Sequence, residues 1–265
     1  MIYKGVVMKT KKIHYCWFGG NEKPDIVQKC IESWRKFCPD YEIIEWNESN
    51  FNVHHCKYVS QAYKHKKYAF VSDYARFKIL SEQGGVYLDT DVEIIKSIAE
   101  LPDAFVGFES KSSVNSGLIR GADIGDEICS LMLERYNNDF FVLEDGELNL
   151  KTVCERETAL LVEKGLILNG ERQVVSGTTV FPVEYFCPKD YITEKLTITE
   201  NTHCIHHYAS SWYSEENKLQ YKLQKRYRKF MPKRIADILA TFFAKIKHQG
   251  LGKALKWVFK RRKKK

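Results

Sequence analysis

The stretch Gly84-Gly85-Val86-Tyr87-Leu88-Asp89-Thr90-Asp91 constrains this chain more than any other. A glycine pair ends a helix, a short β-rich run follows, and two carboxylates emerge at its far end. In open α/β sheets, ligands bind beyond the carboxyl ends of strands, so a site is expected at Asp89 and Asp91. Two aspartates one residue apart can hold one divalent ion and present it to a diphosphate. Magnesium and manganese accept few carboxylates and take their remaining ligands from phosphate and water. A bare D-x-D also arises as a pair of solvated turn aspartates, so its context decides.

That context is α/β. Residues 12–18 read as a strand closed by Gly19-Gly20. Residues 25–37 carry Ile26, Cys30, Ile31, Trp34 and Phe37 at helical spacing, and residues 41–46 read as a second strand. Ser72 is placed to cap a helix running to about Gln83. Strands are expected at 86–88, 104–109, 181–186 and 202–207, and helices at 125–137 and 157–164. Alternation of this kind predicts an α/β fold with a mostly parallel sheet. With 44% hydrophobic residues in 265, a sizeable core is expected.

The charge is unevenly spread. Residues 218–265 hold 18 Lys and Arg against one acid, Asp237, leaving 24 basic and 33 acidic groups in the rest. The expected division is an acidic body, 1–217, and a basic tail, 218–265. In the tail Ile235, Ile238, Leu239, Phe242, Phe243 and Ile246 recur at helical spacing, and Leu251, Leu255, Val258 and Phe259 continue the stripe past Gly250. A basic amphipathic helix of this kind fits an anionic membrane surface. Packing of the stripe on the body and binding of nucleic acid are the weaker readings, since a phosphate backbone has no use for an aliphatic stripe. No apolar run of membrane-spanning length and no secretory leader is seen. The eight cysteines lack any C-x-x-C pair, which favours reduced thiols in a cytoplasmic protein over a zinc or disulfide framework.

The stretch FVSDYARFKILSEQGGVYLDTDVEII resembles the signature of glycosyltransferases with a D-x-D sugar-binding region, glycosyltransferase family 32 in particular. That family includes initiating mannosyltransferases and bacterial capsular polysaccharide or lipopolysaccharide transferases. KIHYCWFGG resembles the family's first strand and HCIHHYASSW its C-terminal motif. The resemblance implies a GT-A type nucleotide-sugar-binding fold and retaining transfer of a hexose from a nucleotide sugar, UDP-linked, to a glycan acceptor. A lipid-linked acceptor suits a peripheral enzyme on the inner face of the plasma membrane.

Carried onto this sequence, the resemblance makes Asp89, Asp91, Asp73 and Arg76 the catalytic set. Asp73 and Arg76, at i and i+3 on one helix face, hold donor hydroxyls and phosphate, or simply pair with each other. Trp17 stacks on the nucleobase or packs in the core. Ser211 and Trp212 close on the diphosphate. Asp91, Asp89 and His206 are the expected ligands of Mn2+ (or Mg2+); neighbours in a strand face opposite ways, so one of His206 and His207 points inward, and alternation alone does not say which, His206 being the one named. Asn115 and Glu157 are the acceptor candidates, with turn chemistry and helix capping as their alternative. A haloacid-dehalogenase-like phosphatase fits poorly, because Glu93 stands where that motif wants Thr or Val. A catalytically idle sugar-nucleotide-binding or scaffold protein is the remaining alternative.

Overall fold

The computed structural model describes residues 10–191, 193–209 and 215–262. They fall into two compact units, one formed by residues up to 190 with 195–208, the other by 191–194 and 209 onward. The first unit opens with β1 (Lys12–Cys16), α1 (Asp25–Phe37) and β2 (Glu42–Trp46), a β-α-β unit whose strands pair in parallel. Next come α2 (Lys57–Lys64), α3 (Tyr68–Gln83), β3 (Gly85–Leu88), β4 (Val92–Ile94), β5 (Phe105–Ser110), β6 (Ser113–Val114) and β7 (Ile119–Ala122). The unit ends with α4 (Glu127–Asn137), α5 (Val153–Glu163), β8 (Gln173–Val175), β9 (Thr178–Phe181), α6 (Val183–Phe186) and β10 (Cys204–His206).

The main sheet has the order β2-β1-β3-β7-β5-β9-β8, with β6 on β5. β1, β2, β3, β5 and β9 point one way, while β6, β7 and β8 point the other. The expected α/β class with a mostly parallel sheet is therefore borne out. The reversed strand β7 matters most for the site. It pairs Ile119 with Leu88, so the turn just before it, residues 115–117, lies beside the carboxyl end of β3.

Alternation along β3 divides the core. Val86 and Leu88 join the layer with Trp34 of α1, and Tyr87 joins the opposite layer with α3. Helix α3 is buried on most of its faces, and that burial carries Asp73 and Arg76 into the interior together with Phe70, Tyr74 and Phe77. At its C-terminus Gly84 and Gly85 both have positive φ, at 62° and 96°, a conformation that favours glycine. Helix α1 in turn fixes β4: Trp34 Nε1 donates to the Val92 carbonyl at 2.7 Å, and Ile94 N–H donates to Ser33 Oγ at 2.9 Å.

Three expectations need correction. Ser72 does not cap α3, which begins at Tyr68; its hydroxyl donates to the Tyr68 carbonyl from inside the helix. The helix expected at 157–164 begins at Val153, because Thr152 and Glu155 form a capping box that sets its start. Residues 181–186 are not one strand: β9 ends at Phe181, Pro182 stops the ladder, and α6 follows.

The second unit contains α7 (Glu215–Tyr227), α8 (Lys233–Gln249) and α9 (Leu251–Arg262). Gly250, at φ 84°, separates the last two. Among its described residues only Ala236, Ala240, Ala244 and Ala254 are buried, while Phe230, Ile235, Phe243, Leu251, Leu255 and Phe259 are exposed. No helix among the described residues is long and apolar enough to cross a membrane.

Candidate active site

The site forms where β3 ends. Asp89 N–H donates to the Gly117 carbonyl at 3.0 Å, and the chain turns through Thr90 and Asp91 as Val92 N–H closes on the Asp89 carbonyl. β4 then pairs with β10, setting His206 opposite Val92, and His207 N–H donates to the Asp91 carbonyl. This ladder brings together residues more than a hundred positions apart. Ligand atoms of Asp89, Asp91 and His206 lie within 4.8 Å of one another. His206 Nε2 is 3.2 Å from Asp91 Oδ1. His207 faces the other way, with Nε2 2.7 Å from Glu93, which also pairs with Lys29. Neighbouring histidines in this strand thus face opposite ways, and His206 is the one that lies beside the two aspartates.

Arg76 is the hub of the inner wall. Its Nη2 lies 2.8 Å from Asp73 Oδ1 and 3.4 Å from Asp89 Oδ1, and its guanidinium stacks 4.7 Å over the Tyr87 ring. Tyr87 donates its hydroxyl to Asp89 Oδ1 at 3.2 Å. Asp73 and Arg76 thus pair within their helix and also meet Asp89, so the two readings of that pair coexist. Burial pushes the Asp73 carboxyl up to about 6 against the pull of Arg76, and it accepts a backbone hydrogen bond from Val153 at the start of α5. Asp89 is raised too, by burial first, with Arg76 opposing and Asp91 adding to the shift. His206 is drawn down by burial, but Asp91 reverses this and leaves it above its ordinary value.

Burial leads the shifts of both aspartates, and crowded negative charge adds to it there and overcomes it at His206. Three carboxylates gather around a single guanidinium and one imidazole, leaving an excess of negative charge in a partly desolvated place. Two carboxylates and an imidazole are a donor set that manganese or magnesium accepts, and a cation here would offset that excess. The residues therefore fit a divalent ion.

Trp17, half-buried at the carboxyl end of β1, donates its indole N–H to the Asn21 carbonyl and has Lys23 over its ring. Asn115 serves the turn: its Oδ1 accepts from Gly117 N–H at 2.8 Å and Leu118 N–H at 3.1 Å, which shapes the backbone that holds Asp89. Glu157 is not at the site. It is fully buried and ion-paired with Arg120, which also meets Asp126, so its carboxylate is out of reach of an acceptor. Ser211 and Trp212 lie outside the described residues.

Tyr87 was missed from sequence, and Gly117 was read only as part of a turn cluster with Asn115 and Ser116, an acceptor candidate. Tyr87 could have been found, because it stands two residues before Asp89 on a strand and so shares its face. Gly117 gave no such signal: a Cβ there would come within 2.8 Å of Arg76 Nη1, Asn115 Oδ1 and Asp89 Oδ2.

Residues 24–106 match the family described as "Glycosyltransferase sugar-binding region containing DXD motif", a span that includes Asp73, Arg76, Asp89 and Asp91. The match takes in the helix and the strand end that carry these four residues and covers less than a third of the chain. Among solved structures the chain is similar to the PaToxG glycosyltransferase, at 18% identity and a TM-score of 0.46 over 59% of this chain and 70% of that one. It is similar to a glycosyltransferase involved in the glycosylation of the major capsid of PBCV-1, at 14% identity and 0.41 over 75% and 94%. It is also similar to an active-site mutant of LgtC, at 14% identity and 0.35 over 85% and 99%. No curated protein matches the chain.

Proposed function

We propose that this chain is a glycosyltransferase, a retaining hexosyltransferase that moves a hexose from a nucleotide sugar, UDP-linked, to a lipid-linked glycan in bacterial capsular polysaccharide synthesis. The convergence of Asp73, Arg76, Asp89, Asp91 and His206 at one strand end supports it most. Asp89, Asp91 and His206 would hold Mn2+ or Mg2+, which when bound neutralises charge on a departing nucleoside diphosphate. Arg76, fixed between Asp73 and Asp89, presents a buried positive charge to the phosphate end of the donor, and the Asp73 carboxylate accepts from donor-sugar hydroxyls. Trp17 stacks on the nucleobase. The acceptor hydroxyl attacks the anomeric carbon on the face that the leaving group vacates. The bond to the diphosphate breaks, and the departing phosphate oxygen takes the hydroxyl proton. Among the described residues none is assigned as a covalent nucleophile.

The second unit supports a site on the inner face of the plasma membrane. Its large apolar side chains lie outside and its basic charge is high, the combination that an anionic bilayer interface accommodates.

The deciving experiment is a donor screen: the full chain with Mn2+, a panel of nucleotide sugars, and released nucleoside diphosphate as readout. Release from one donor, abolished by EDTA and by Asp91→Ala, is expected. No release and no metal-dependent nucleotide binding from any donor would leave a binding or scaffold protein as the better account.

A further inference from the structure

β5 ends at the same edge of the sheet as β3. Tyr87 of β3 and Val106 of β5 are both in register with Arg120 of β7, the strand between them. Asp89 lies two residues beyond Tyr87 and Glu109 three beyond Val106. Two carboxylates therefore stand at similar height on strands separated by one neighbour, about 10 Å apart laterally at ordinary strand spacing. At Glu109 the β5–β6 ladder is interrupted, with Phe108 opposite Val114 and Ser110 opposite Ser113. Irregularities of this kind re-aim a side chain.

The surroundings of Glu109 close a ring. Its carboxylate shares a hydrogen bond with the Cys154 thiol on the first turn of α5, and the neighbouring Val153 N–H bonds Asp73. Its charge also reaches Tyr208 and His206, whose rings lie 4.1 Å apart. From Asp89 the ring runs through Arg76, Asp73, Cys154, Glu109, Tyr208, His206 and Asp91 back to its start. Arg76 pairs with Asp73 and Asp89, and His206 Nε2 lies 3.2 Å from Asp91 Oδ1, but among the described residues Glu109 has no ion-pair partner. A half-buried carboxylate without a cation needs hydrogen-bond donors, and a sugar offers them as hydroxyls.

We infer that Glu109 is a substrate-positioning residue, accepting a hydrogen bond from a hydroxyl of the acceptor sugar and holding it across the ring from Asp89 and Asp91. This rests on the transferase reading and adds to it the class of acceptor: an uncharged sugar, because an acidic one at this position would meet an uncompensated carboxylate. The geometry gives Glu109 no part in holding the donor, whose expected contacts lie on Arg76, Asp73 and Asp89.

The test uses the full chain, the donor identified in the screen, and Glu109→Gln and Glu109→Asp beside the unaltered protein. Two rates are measured, donor hydrolysis by water and transfer to simple glycosides, neutral or bearing a carboxylate. Glu109→Gln should leave hydrolysis within about twofold while raising the acceptor KM by about tenfold or more, the scale of losing a hydrogen bond to a charged group. Glu109→Asp should recover part of that loss, and Glu109→Gln should narrow the preference for neutral over acidic glycosides. A parallel fall in hydrolysis and transfer would overturn the assignment and make Glu109 structural or donor-binding. Unchanged acceptor kinetics would overturn it as well. Failure of the unaltered protein to release nucleotide from any donor would instead remove the transferase reading, and this inference with it.

Discussion

The two units bury opposite things. In the first, aromatic and aliphatic side chains such as Trp34, Phe77 and Tyr136 are inside, and they surround charged groups, Arg76, Arg120 and Asp73, that are inside as well. In the second, four alanines are the buried residues among those described, while phenylalanines and leucines lie on the outside among lysines and arginines. The first unit spends its apolar surface on making a dry setting for a charged centre, where electrostatic interactions are stronger. The second uses small residues along α8, which packs against both α7 and α9, and keeps its large apolar groups for something else. Sequence periodicity alone makes both regions look amphipathic, and only burial separates them.

Substitutions can break or sharpen this contrast. The largest effect should come from Arg76→Met, which strands Asp73 and Asp89 without their cation; a loss of about 3–5 kcal/mol is expected in urea unfolding at neutral pH. A loss under about 1 kcal/mol would mean that the centre does not depend on the arginine for stability.

Next is a pH effect. His14 is buried, with Nε2 2.9 Å from the Gly84 carbonyl and Nδ1 accepting from Trp46 Nε1, and burial pulls its pKa from 6.5 to about 4. Between those values the unfolded chain binds the proton and the folded one does not. Stability from this group is therefore complete above about pH 6.5 and declines as pH falls toward 4, by about 3 kcal/mol in all. His14→Gln should flatten the slope of unfolding free energy across that window, and an unchanged slope would assign it to other groups.

Gly117→Ala should be smaller in stability, about 1–3 kcal/mol from the forced displacement of its neighbours. It should cost proportionally more activity, because the atoms displaced belong to Arg76 and Asp89. Thermal unfolding and donor turnover measured on the same sample separate the two.

The second unit should invert the order, with a buried alanine as costly to enlarge as Gly117 and the exposed rings giving the smallest effects. Ala240→Leu overfills a buried position and should destabilise by about 1–3 kcal/mol. Phe243→Ser and Phe259→Ser remove exposed rings and should stay within about 0.5 kcal/mol in solution. The same serine variants should weaken co-sedimentation with anionic vesicles. Full retention on the vesicles would detach those rings from any membrane role.

Local signals made much of this legible. The bounds of α1 follow from its periodic apolar residues and the Pro39 beyond it, and β3 from its glycine pair. The pairing of Asp73 with Arg76 follows from a helix bringing i and i+3 together, and the opposite facing of His206 and His207 from strand alternation. What failed was long-range. Nothing near Glu157 announces Arg120, and nothing near Gly117 announces Arg76, since those contacts exist only once β7 runs back beside β3. Helix α2 was missed because it is short, has no side-chain cap and sits in a histidine- and lysine-rich stretch. Glu109 marked the end of a predicted strand, but its lack of a cation becomes visible only when its neighbours are known.

The β4–β10 ladder also sets a schedule. Asp89 and Asp91 leave the ribosome early, but His206 emerges only after nearly the whole body has been made. A growing chain with both aspartates in place still lacks the imidazole and the strand that carries it. The cluster of two aspartates and one imidazole therefore comes together only after β10 has paired with β4.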